Sequence, residues 1–207
     1  MNPKSVLKSC LMFLLAVLML MPAKMGLGQV PKKLTYSNTV DTSTVGTQGK
    51  PASVATYANG DYIVTFPSDG KVVKFSKDGV KQSEFGTIGS TDGTFQHAWG
   101  VALDRDGSIY VSDFTTSRLQ KFTPNGTFVW SVNTGNHPRG LAVDVTGNIY
   151  VACEGIHCIE KYNASGQLIL TFGNSGPTES LVMDPISVAI TADGGVVVAS
   201  PSTFKII

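Results

Sequence analysis

A twelve-residue pattern occurs twice in this chain without a gap. Gly100-Val101-Ala102-Leu103-Asp104-Arg105-Asp106-Gly107-Ser108-Ile109-Tyr110-Val111 aligns on Gly140-Leu141-Ala142-Val143-Asp144-Val145-Thr146-Gly147-Asn148-Ile149-Tyr150-Val151, 40 residues later. The pattern recurs 47 residues before the first copy, from Ser53-Val54-Ala55 through Asn59-Gly60 to Ile63-Val64. It returns 47 residues after the second, from Ser187-Val188-Ala189 through Asp193-Gly194 to Val197-Val198. A unit repeated at this period cannot bury its apolar faces alone, so neighbouring units must stack. The uneven spacing falls between units, where insertions are tolerated.

Within a unit the apolar period is two. In the second copy it predicts strands at 100–104, 108–113, 118–123 and 127–132, with turns at Arg105-Asp106-Gly107 and Pro124-Asn125-Gly126. Asn59-Gly60, Asp78-Gly79, Thr146-Gly147, Ser165-Gly166 and Asp193-Gly194 mark matching turns, read as two-residue hairpins in which glycine supplies the positive φ. Four antiparallel strands per unit make one propeller blade. The fold class is therefore all-β, a β-propeller of four-stranded blades. The 22 glycines suit short strands and tight turns, and no charge block, heptad or low-complexity tract points to coiled coil or disorder.

His-Ala-Trp-Gly-Val-Ala-Leu-Asp (97–104), Ile-Tyr-Val-Ser-Asp (109–113), Arg-Leu-Gln-Lys-Phe (118–122) and the Phe-Gly-x-x-Gly-x-x-x-Gly-x-Phe connector from Phe85 to Phe95 carry a resemblance. They resemble the NHL-repeat family, whose propellers usually have six blades. The resemblance covers residues 50–207 and sets blades at about 50–96, 97–136, 137–184 and 185–207. The fourth stops at Ile207 inside its third strand, so a partial sequence is expected, with self-association as the alternative way to cover an open blade. Family architecture further implies that residues 29–49 form a lead-in supplying an outer strand to the last blade.

Lys4 and Lys8 precede an apolar run from Cys10 to Met21 that ends at Pro22. Twelve residues fall short of the ~20 of a spanning helix. The order matches a signal peptide, 1–28, cut after Gly28. The chain is thus expected to be secreted or luminal; an uncleaved anchor through residues 10–21 is the alternative, and the only membrane contact foreseen. Removing Lys4, Lys8 and Lys24 leaves 13 basic and 15 acidic residues, a net −2. With no basic stripe, nucleic acid is not an expected partner.

Cys10 leaves with that segment. Cys153 and Cys158 flank Glu154-Gly155-Ile156-His157 and align on Asp113 and Arg118. Two thiols where another blade has an opposite-charge pair suggest residues facing across a hairpin, and in an oxidising compartment a disulfide. The rival reading is a zinc site of Cys153, His157 and Cys158, which lacks a fourth ligand.

The loops joining the second and third strands share one face with the blade connectors, so Trp99, Phe114, Arg139 and His157 are the candidate binding residues, with His97 and His137 beside them. Aromatic and arginine side chains are good anchors; Trp99 packed between blades is the competing reading. Asn125 and Asn163 begin N-glycosylation sequons on the opposite face. Asp104 and Asp106 are read as turn residues rather than calcium ligands, since Thr146 replaces the second in the next copy. No catalytic constellation and no cofactor or metal motif stands out.

The resemblance implies three functions. The first is a binding or scaffold module for a protein, peptide or glycan. The second is a lyase or hydrolase like peptidylglycine amidating lyase or the lactonases. The zinc histidines of that lyase correspond here to Ala52, Trp99, Arg139 and Ile186, so the carry-over fails at each. The third is the substrate-binding part of tripartite-motif NHL ubiquitin ligases, although the chain shows no RING or B-box spacing. N-terminal sequencing of the secreted product is expected to start at Gln29; a start at Met1 or Asn2 rules out cleavage.

Overall fold

The computed structural model describes residues 46–47, 49–173, 182–201 and 205–206. The predicted signal segment and nearly all of the lead-in, with its expected outer strand, lie outside them. The first sheet contains β1 (Val54–Thr56), β2 (Tyr62–Phe66), β3 (Lys71–Phe75) and β4 (Lys81–Phe85). The second contains β5 (Ala98–Leu103), β6 (Ile109–Asp113), β7 (Arg118–Phe122) and β8 (Phe128–Asn133). The third contains β9 (Pro138–Val143), β10 (Ile149–Cys153), β11 (Cys158–Tyr162) and β12 (Leu168–Phe172). The fourth contributes β13 (Ser187–Ile190), β14 (Val196–Ala199) and β15 (Lys205–Ile206). Every sheet is an antiparallel meander in chain order, and none closes on itself: these are propeller blades. Among the described residues no helix is long and apolar enough to cross a membrane.

Each expected turn glycine has positive φ, from +80° at Gly107 to +90° at Gly60 and Gly194. The turns themselves are wider than two-residue hairpins. Gly107 N–H donates to Asp104 O and Asp104 N–H to Ser108 O, while Asp106 keeps negative φ. This is a type I turn closed by a glycine bulge. The cause is the side chain that opens the turn: Asp104 Oδ1 accepts N–H bonds from Asp106 and Ser108, which a tighter loop would not present. The strand at 100–104 likewise begins earlier, at Ala98, with an irregular register between Ala98 and Val101.

The cores lie between blades. Ile63 and Val72 of the first blade meet Val101, Ile109, Val111 and Phe122 of the second, sealed by Phe95 of the connector. Tyr110 and Leu119 on the other face of the second blade meet Leu141, Ile149, Val151 and Tyr162. Tyr150, Ala152 and Ile159 then face Val188 and Val198. With both faces covered, β6 and β10 are buried at every position. That is why Ile109-Tyr110-Val111 carries large side chains on both sides despite its period of two.

A hydroxyl clasp ties neighbouring blades at their inner strands. Thr65 Oγ1 accepts Ser53 N–H at 3.1 Å and donates to Trp99 O at 2.6 Å. Ser112 repeats this between Gly100 N–H (2.8 Å) and Arg139 O (2.6 Å). Ala152 has no hydroxyl, and there Gly140 N–H donates directly to Ile186 O at 3.1 Å. Gly100 is required by the same approach, since a Cβ would lie 2.2 Å from Arg139 O. Ser112→Ala strands a buried donor and acceptor. It is expected to lower stability by about 1–3 kcal/mol in urea unfolding; an unchanged midpoint would show that the clasp contributes nothing.

Candidate functional site

The first strands of the four blades start around one cleft of about 380 Å³, lined in part by Ala52, Trp99, Arg139 and Ile186. These equivalent positions converge because each lies one residue before the Gly or Ser at which neighbouring inner strands approach, Ser53, Gly100, Gly140 and Ser187. Pro67 and Ser68 from a loop and His97 from a connector complete one wall.

Arg139 organises the site. Its Nε donates to Glu154 Oε2 at 2.7 Å and its Nη2 to Oε1 at 3.1 Å. The guanidinium lies 4.5 Å from the Trp99 ring centre and 4.9 Å from that of Phe114. Trp99 and Phe114 are 5.5 Å apart, and Phe114 stacks on His137 at 4.5 Å with planes 14° apart. His97 approaches both Trp99 and Phe114. The bidentate carboxylate fixes the fork, and the fork in turn holds the indole face. Cation–π contact at such a half-exposed site contributes roughly 0.5–2 kcal/mol.

The structure thus brings Trp99, Phe114 and Arg139 together, with His97 and His137 as ring partners. Trp99 combines both readings: it packs against its neighbours and lines the cleft. His157 does not join them. Its Nδ1 sits 3.1 Å from Asp184 Oδ1 and 3.2 Å from Asp184 N. The residue closes a loop in left-handed conformation (φ +52°), as Ser117 (φ +53°) and Gly70 (φ +58°) do in the second and first blades. Glu154 was not identified from sequence; its signal is that it aligns on Phe114, the position facing Trp99 one blade earlier.

Cys153 and Cys158 are direct cross-strand partners, as the hairpin reading expects, but the structure holds them as two buried free thiols rather than a disulfide. His157, turned towards Asp184, does not complete a ligand set with them. The third group beside the thiols is Glu160, and all three ligand atoms lie within 4.8 Å of one another. Sequence reasoning missed it, although Cys158, Glu160 and Tyr162 share one face of β11 by the strand period. The hydrogen bond that the Cys153 thiol donates to Cys158, burial and the Glu160 charge all push that thiol up.

A second cleft, about 590 Å³, lies among the turns that join the first two strands of the first three blades and includes Tyr57, Asp104, Asp106 and Asp144. The Asp104 and Asp144 carboxylates are committed to turns. Burial alone would raise the Asp144 carboxyl. Hydrogen bonds from Thr146 and Asn148 outweigh it and hold the group well below the usual carboxylate range.

The NHL repeat model matches residues 95–122 and 136–162. E3 ubiquitin-protein ligase TRIM71 from Gallus gallus is 42% identical over 50 residues, which is 24% of this chain and 6% of the ligase. The Xenopus tropicalis protein is 44% identical over a stretch of the same length and shares. Among solved structures, a streptogramin B lyase superposes with TM-score 0.60 at 17% identity, covering 77% of this chain and 54% of the lyase. Hydrazine synthase of Kuenenia stuttgartiensis gives 0.61 at 13% identity, covering 85% and 47%. The chain spans about half the length of these structures, and at such identities they share its fold alone.

The two sequons differ in structure. Asn125 is exposed at its turn. Asn163 opens its turn: Oδ1 accepts N–H bonds from Ser165 and Gln167, and Nδ2 donates to Gln167 Oε1 at 2.8 Å. It occupies the place of Ser76 and Thr123, whose hydroxyls do the same work. In protein made in a glycosylating secretory host, glycopeptide mass spectrometry is expected to find sugar at Asn125 and little at Asn163. Equal occupancy at both would show that the Asn163 bonds do not shield it.

Proposed function

We infer that this chain, which carries NHL repeats within a β-propeller, is a protein-interaction module whose contact surface is the cleft built around Trp99, Arg139 and Phe114. The observation that carries this reading is the Glu154–Arg139–Trp99 arrangement. It presents a large aromatic side chain and a guanidinium already ordered, so little side-chain entropy is left to lose on binding. The cleft is of a size to take one or two side chains of an extended segment, which favours a protein or peptide ligand over a glycan. Protein binding also agrees with the likeness to TRIM71, a ubiquitin ligase of which the matched stretch is 6%.

The same cleft weighs against the lyase reading. The four positions that correspond to that lyase's zinc histidines meet here, and they are Ala52, Trp99, Arg139 and Ile186. None of the four offers a metal-ligating side chain, so these positions supply no zinc donor set. Placement outside the cytosol is part of the proposal and rests on the Lys4, Lys8 and Cys10–Met21 pattern.

Selection of a displayed random-peptide library on the full chain, with a glycan array in parallel, tests the reading. Selected peptides are expected to lose at least tenfold in affinity to Trp99→Ala and to Arg139→Ala, with quenching of Trp99 fluorescence in the wild type. Peptides that bind both variants unchanged, or binding confined to the glycan array, would overturn it.

A further inference from the structure

We propose that Cys153, Cys158 and Glu160 form a site for a thiophilic divalent cation of the zinc class at the boundary between the second and third blades. The two thiols lie opposite each other at the ends of β10 and β11, and Glu160 follows Cys158 on the same face. Relative exposure is 0% for both cysteines and 7% for Glu160. The ligand atoms lie within 4.8 Å of one another, and Cys153 Sγ is 3.4 Å from Glu160 Oε2. A tetrahedral ion with Zn–S near 2.3 Å and Zn–O near 2.1 Å needs edges of about 3.6–3.8 Å, so small side-chain rotations complete the geometry.

Charge is the main argument. In the second blade the three equivalent positions are Asp113, Arg118 and Gln120. Asp113 accepts N–H bonds from Gln96 and His97, Arg118 lies 3.9 Å away, and neutral Gln120 binds Gly93 N–H and Thr94 O. In the third blade the cation is gone and the neutral amide has become a carboxylate. Among the described residues no lysine, arginine or histidine pairs with Glu160. A buried carboxylate without a counter-charge is costly. A disulfide between the cysteines would leave the carboxylate without a counter-ion; a divalent cation bonds to it directly and takes both sulfurs as thiolates, the site as a whole keeping one negative charge.

The surroundings orient the carboxylate. Gly135 N–H (2.8 Å) and the Tyr162 hydroxyl (2.7 Å) both donate to Glu160 Oε2, leaving Oε1 free of these bonds. Such partners around a ligand typically tune affinity 10–100-fold. Gly135 packs over Cys153, where any Cβ would strike Ile156, and so closes the site from one side. Binding forms two metal–sulfur bonds and one metal–oxygen bond, releases the two thiol protons to solvent and moves no electrons. A water takes the fourth position.

The inference is independent of the cleft and its ligand. Its test is titration of cobalt(II), then zinc, into the reduced full chain carrying Cys10→Ser, so that only these two thiols remain. One equivalent of cobalt is expected to raise a near-ultraviolet thiolate-to-cobalt band that zinc abolishes. Cys158→Ser is expected to remove the band, and Glu160→Gln to weaken binding at least tenfold. No thiolate–cobalt band in the folded parent protein overturns the proposal without reference to any variant. A band that persists in Cys158→Ser, or a Cys153–Cys158 disulfide that forms despite equimolar zinc, overturns it as well.

Discussion

The contact on which everything else depends is blade against blade. The second and third sheets bury apolar side chains on both faces, so their second strands are covered from two sides and neither face can be satisfied within one repeat. Phe122, Tyr110 and Ile149 are almost wholly buried because a neighbouring sheet lies against them. The hydrophobic term is non-directional; what sets the register between blades is polar. The Thr65 and Ser112 hydroxyls bridge an N–H of their own blade to a carbonyl of the next, and the tight approach at Gly100 follows.

That same boundary creates the chemistry. Clasping the inner strands brings the positions just before Ser53, Gly100, Gly140 and Ser187 to one cleft, so Ala52, Trp99, Arg139 and Ile186 meet without being near in sequence. Further out, the ends of the second and third strands point into the seam between blades. There one blade places an aspartate, an arginine and a glutamine that satisfy a connector's backbone. The next blade places two thiols and a glutamate in the same geometry. A repeat architecture keeps the positions and lets the residue types drift, so neighbouring seams acquire different electrostatics.

Much was legible in the sequence because the fold is periodic. The Asp-Gly and Asn-Gly pairs marked turns, and the alternation around Ile109-Tyr110-Val111 marked a strand. What failed locally did so for identifiable reasons. The turns were read as two-residue hairpins because glycine's freedom was considered without the Asp104 side chain, which draws two backbone N–H groups into a wider loop. The Asn163 triplet says nothing about the hydrogen bonds that its amide makes, which only the folded turn shows. His157 was placed with the anchors by proximity to a loop, whereas its left-handed backbone turns it towards Asp184.

The sequence by itself determined the blades, their order and the alternation of side chains across each sheet, since these follow from local periods and turn chemistry. It also put Cys153 opposite Cys158, because the hairpin between them fixes register. Only the tertiary structure decided which side chains meet across a seam or around the cleft. Arg139 on Trp99, Glu154 beneath Arg139 and Glu160 beside the thiols depend on how one sheet is rotated and clasped against the next. That relation is set by packing and by a few bridging hydrogen bonds, and no spacing along the chain encodes it.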